Sequence, residues 1–68
     1  MNPVLEVRQK AGLTQELLSA VSGVKRSTIS QYENGHSSPR LETLERLADA
    51  VGLVVEVRIF DPPRSVEG

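Results

Sequence analysis

Thr14-Gln15-Glu16-Leu17-Leu18-Ser19-Ala20-Val21-Ser22-Gly23-Val24-Lys25-Arg26-Ser27-Thr28-Ile29-Ser30-Gln31-Tyr32, continued by Glu33, Asn34 and Gly35, decides the fold of this chain. It holds an apolar-periodic segment, a Gly-Val break and a second periodic segment whose outer face is polar throughout. Two short helices joined by a tight turn fit that pattern. The first is predicted over Gln15 to Ser22, with Thr14 as N-cap and Gly23 supplying the left-handed residue that stops it. Val24 plugs the corner. The second is predicted from Arg26 to Asn34, with Ile29 and Tyr32 facing inward and Arg26, Ser27, Ser30 and Gln31 facing out. Helices this short are not stable alone. Neighbours must hold them, and the product is an exposed helix whose Arg, Ser and Gln side chains suit base edges in a major groove.

The elements on either side supply those neighbours. A helix is predicted from Pro3, well placed in a first helical turn, to near Gly12, carrying Val4, Leu5 and Arg8 on one side; Leu13 follows as a core plug. Another is predicted from Arg40 to Val51, where Leu41, Leu44, Leu47, Ala48 and Val51 recur at helical spacing while Glu42, Glu45, Arg46 and Asp49 face out. Gly52 ends it. The leucine stripe is too short for sustained heptads and reads as core rather than zipper. Beyond it, Leu53 to Phe60 is β-branched and partly alternating, so it reads as a strand with Val55, Val57 and Ile59 on one face and Glu56 and Arg58 on the other. The chain offers this strand no second strand. The simplest solution is the same strand of a second subunit, paired antiparallel across a two-fold axis; the alternative is an irregular tail packed on its own domain. Pro62 and Pro63 stop the strand. The expected organisation is therefore a domain over residues 1–52, a dimerisation strand over 53–61 and a flexible tail over 62–68.

Length and composition bound the possibilities further. Sixty-eight residues make one domain, and a chain so small removes only about 60% of its unfolded surface from water, so a partner subunit would help. Cysteine is absent, which excludes thiolate metal sites and disulfides and fits a reducing cytoplasm. With no apolar run long enough for a membrane span or signal peptide, the expectation is a cytoplasmic protein without a membrane partner. The net charge of −1 hides an asymmetry: residues 1–40 hold five Lys and Arg against three Glu, and residues 41–68 hold three Arg against six acids. The first half, at +2, is where nucleic acid would sit, and the small total predicts weak non-specific binding. An enzyme is not indicated. There is one histidine, no cysteine and no carboxylate cluster at catalytic or metal spacing, and His36 lies in a polar loop; no cofactor is expected.

Several separate motifs carry a resemblance: Ala11-Gly12-Leu13-Thr14-Gln15, the Gly23-Val24 turn, Ser27-Thr28-Ile29-Ser30, Tyr32-Glu33-Asn34-Gly35, Ser38-Pro39 and Leu44-Glu45-Arg46-Leu47-Ala48. Their order and spacing over residues 3 to 52 strongly resemble the Cro/CI-type (XRE-like) helix-turn-helix family of phage and bacterial regulators, far more specifically than a lone short motif would. The resemblance implies a mainly α, four-helix, lambda repressor-like domain. It implies base contacts from Gln15, Arg26, Ser27 and Gln31, and an ion pair between Arg8 and Glu33 joining the first helix to the end of the reading helix. Phosphate contacts are expected from Lys25, Thr28, Asn34, His36, Ser37 and Arg40, which offer hydroxyls, amides and cations.

Two departures from the family pattern stand out. Leu17 replaces the Glu that would complete a capping box after Thr14, and Lys25 replaces the Ser or Thr that would cap the reading helix. Each should weaken a helix start, by about 1 kcal/mol for a lost N-cap. Ser19 stands where the family favours Ala and is small enough for close helix packing. The strand resembles that of small antitoxin-type members that dimerise through a C-terminal strand. Together these features imply a homodimeric, sequence-specific DNA-binding regulator, a repressor acting on an inverted-repeat operator in double-stranded DNA. The alternatives are an antitoxin that also binds a cognate toxin protein and, from another class, a protein-interaction adaptor without DNA binding.

Overall fold

A computed structural model describes residues 2–57 and 59. Four helices follow in order: α1 (Pro3–Ala11), α2 (Gln15–Ser22), α3 (Arg26–Glu33) and α4 (Leu41–Ala50). The predicted ends agree within one or two residues, because each is written in local chemistry. Thr14 Oγ1 accepts from Leu17 N at 3.1 Å and starts α2. Gly23 stops it at φ 77°, with its N–H on Ser19 O. A residue with a Cβ would be strained at that dihedral, so the α2–α3 turn depends on glycine there.

One apolar centre ties the helices together. Val4 and Val7 from α1, Leu18 from α2, Val24 from the turn, Ile29 from α3, and Leu47 and Ala48 from α4 are buried, with Tyr32, Leu44, Val51, Leu53 and Val55 packed around them. α2 packs on both α3 and α4, and α1 bridges α3 and α4 from the other side. The expected inner positions Val24, Ile29, Leu47 and Ala48 are thus core, and α2 contributes Leu18. Two assignments change. In α1 the second buried residue is Val7, three residues after Val4 on the same face, while Leu5 is half-buried. In α4, Leu41 is half-exposed, on the wall of an open groove that Pro3 and Val7 of α1 also line.

The C-terminal segment departs from its sequence pattern. Among the described residues no strand forms: 53–57 and 59 carry no regular structure in the single chain. Leu53 and Val55 pack on the core, whereas Val57 and Ile59, expected on the same face as Val55, are exposed, at 59% and 94%. The physical reason is the one that made a lone strand untenable, since a ladder needs a partner strand and the described residues provide none. The rest of the expected strand (Arg58, Phe60, Asp61) and the flexible tail over 62–68 lie outside the described residues. No helix among the described residues is long and apolar enough to cross a membrane.

Candidate nucleic-acid interface

The C-terminal end of α3 is where the fold concentrates its polar bonds. Arg8, on α1, donates from Nε to Glu33 Oε2 at 2.7 Å and from Nη2 to Glu33 Oε1 at 2.9 Å, a two-pronged pair. Its Nη1 donates to Leu13 O at 3.2 Å, holding the α1–α2 connection as well. Gln15, the first residue of α2, donates from Nε2 to Glu33 Oε1 at 3.0 Å. One carboxylate therefore joins α1, α2 and α3. Its side chain is only 7% exposed, against 24% for Arg8. The hydrogen bond from Arg8 holds the Glu33 carboxyl below the usual glutamate range, helped by Gln15 and opposed by burial. The same bond to Glu33 pushes the Arg8 guanidinium up. The ion pair expected between these residues is thus present, with Gln15 as a third member.

Asn2 adds a second tie that the sequence reading missed. Its Oδ1 accepts from the Val4 and Leu5 amides at 3.1 Å each, capping α1. Its Nδ2 donates to Tyr32 O at 2.8 Å and Glu33 O at 3.1 Å, meeting carbonyls at the end of α3. An Asn directly before a Pro at a helix start is a legible cap signal. The bonds to Tyr32 and Glu33 span about thirty positions and carry no local trace.

The N-terminal end of α3 is bare by contrast. Lys25 occupies the cap position and makes no side-chain cap bond, as its lack of an acceptor oxygen predicts. Lys25, Arg26, Ser27 and Gln31 are all exposed. Ser27 and Gln31, four apart, share one helix face, and Arg26 leads into it. Thr28 and Ser30 are half-buried, Thr28 less open than a phosphate contact would favour. Ser30 Oγ accepts from Asn34 Nδ2 at 3.3 Å. After α3 the chain turns through Gly35, and the His36 amide donates to Gln31 O at 2.9 Å. Asn34, His36, Ser37 and Arg40 are exposed along the connection to α4. α4 starts from Arg40 without a side-chain cap, so its first amides are open to an outside acceptor.

Of the four residues expected at base edges, Arg26, Ser27 and Gln31 thus lie together on the exposed side of α3, while Gln15 is half-buried with its amide nitrogen committed to Glu33. Among the described residues no group of three or more His, Cys, Asp or Glu could hold a metal ion.

Two helices joined by a tight glycine turn, the second anchored at its far end and exposed along a polar face, define a helix-turn-helix domain. The helix-turn-helix family model matches residues 4–54, and the chain belongs to the Cro/CI-type (XRE-like) helix-turn-helix family of transcriptional regulators. Among curated relatives, it is 38% identical over 50 residues to an uncharacterized HTH-type transcriptional regulator of Haemophilus influenzae, covering 74% of this chain and 51% of that one. It is 31% identical over 64 residues to the cryptic phage CTXphi transcriptional repressor RstR of Vibrio cholerae, covering 94% and 58%. A third, an uncharacterized HTH-type transcriptional regulator of Methanothermobacter thermautotrophicus, is 45% identical over 49 residues, covering 72% and 71%. The chain thus spans little more than half the length of the first two. No solved structure matches it significantly.

Proposed function

We propose that this chain is a sequence-specific DNA-binding transcriptional regulator that acts as a homodimeric repressor on an inverted repeat. The observation that carries this reading is the construction of α3, whose exposed side bears Arg26 and Ser27 in its first turn and Gln31 further along, while its C-terminal end is tied to α1 and α2 through Glu33. A helix held in this way can enter a major groove by its first turns, as reading helices of this class do. Arg26 forks to guanine and Gln31 to adenine, each pair discriminating by about 1–3 kcal/mol. Ser27 adds a shorter contact. Gln15, oriented by Glu33, meets DNA at the start of α2.

Lys25, Thr28, Asn34, His36, Ser37 and Arg40 flank the reading face and fix register through phosphates. With a net charge of only −1 the chain has little non-specific attraction to DNA, so selectivity rests on the base contacts. Two reading heads related by a two-fold favour half-sites about one helical turn apart. Occupied, such an operator excludes polymerase. That RstR is named a transcriptional repressor supports repression as the outcome.

The test is selection of bound duplexes from a random pool at moderate salt, followed by sequencing. The expected product is an inverted repeat whose half-site preference relaxes at one position in Arg26→Ala and at another in Gln31→Ala. Failure of the folded protein to enrich any motif would overturn the reading in favour of a protein-binding adaptor.

A further inference from the structure

We draw no further inference here: the strongest candidate, the open apolar groove between α1 and α4 walled by Pro3, Val7, Leu41 and Leu44, carries none because nothing in the structure shows what covers it.

Discussion

At its N-terminal end α3 leaves Lys25 uncapped and sets Arg26 and Ser27 in solvent, whereas at its C-terminal end Glu33 and two backbone carbonyls are held by Arg8, Gln15 and Asn2. The same eight-residue helix is thus anchored at one end and presented at the other. A helix of this length gains little from its own hydrogen bonds, so its orientation must come from tertiary ties, and those ties are gathered where they leave Arg26 and Ser27 exposed. The ties that hold the helix are gathered at one end, and under the proposed function its first turn is left free for recognition.

Breaking the anchored end should have the largest effect. Glu33→Gln removes the charge that Arg8 and Gln15 share and leaves a partly buried guanidinium without its counter-charge. We expect a loss of about 2–3 kcal/mol, below the full cost of splitting a buried pair because Arg8 is a quarter exposed. Urea unfolding measures it, and an Arg8→Met, Glu33→Gln cycle should return a coupling that the single changes do not add up to. Acid should act on the same bond. Because the folded-state pKa of Glu33 lies below its unfolded value, its contribution is complete above the unfolded value and fades as pH falls through the depressed one. The wild-type chain should therefore lose stability below about pH 4.3 more steeply than Glu33→Gln does.

The presented end should answer differently. Arg26→Ala should weaken binding to the selected operator by roughly tenfold to a hundredfold, equivalent to about 1–3 kcal/mol, at unchanged salt. Its unfolding free energy should stay within about 0.5 kcal/mol of wild type, as for surface changes away from caps and core. A large stability loss in Arg26→Ala would erase the division between the two ends.

Asn2 sharpens the comparison, since it belongs to the anchor but has two jobs. Asn2→Ala should cost about 1–2 kcal/mol by uncapping α1 and releasing the α3 carbonyls. Asn2→Asp keeps the oxygen that caps α1, removes the donor and sets a negative charge by a helix C-terminus, so it should still destabilise. Equality of Asn2→Asp with wild type would reduce the residue to a cap. The smallest effect is expected at the bare end, where Lys25→Ser should add about 0.5–1 kcal/mol by supplying the missing cap, at the loss of a cation beside Arg26. Thermal melts would read the gain.

The helix boundaries and most of the core were legible because their signals are local. Thr14, Gly12 and Gly23 act within a turn of themselves, and the spacing of Ile29, Leu44 and Leu47 names the inner face directly. The choice of Val7 over Leu5 followed the three-residue spacing from Val4, a local signal that the expected grouping of Val4 with Leu5 and Arg8 passed over. The Arg8–Glu33 pair, 25 positions apart, was visible only through resemblance to the family. The half-burial of Gln15 and the reach of Asn2 across to α3 were not visible at all, since neither bond has a sequence period or a neighbouring motif to mark it.

The sequence by itself determined that four short helices form, where they stop, and that Arg26, Ser27 and Gln31 share an outer surface, because caps, glycines and periodicity act over a few residues. Only the tertiary structure decided which polar side chains leave solvent to hold α3 and that Leu53 and Val55 pack on the core while Val57 does not. Those outcomes depend on which surfaces meet across the chain, and local propensity holds no record of a contact thirty residues away.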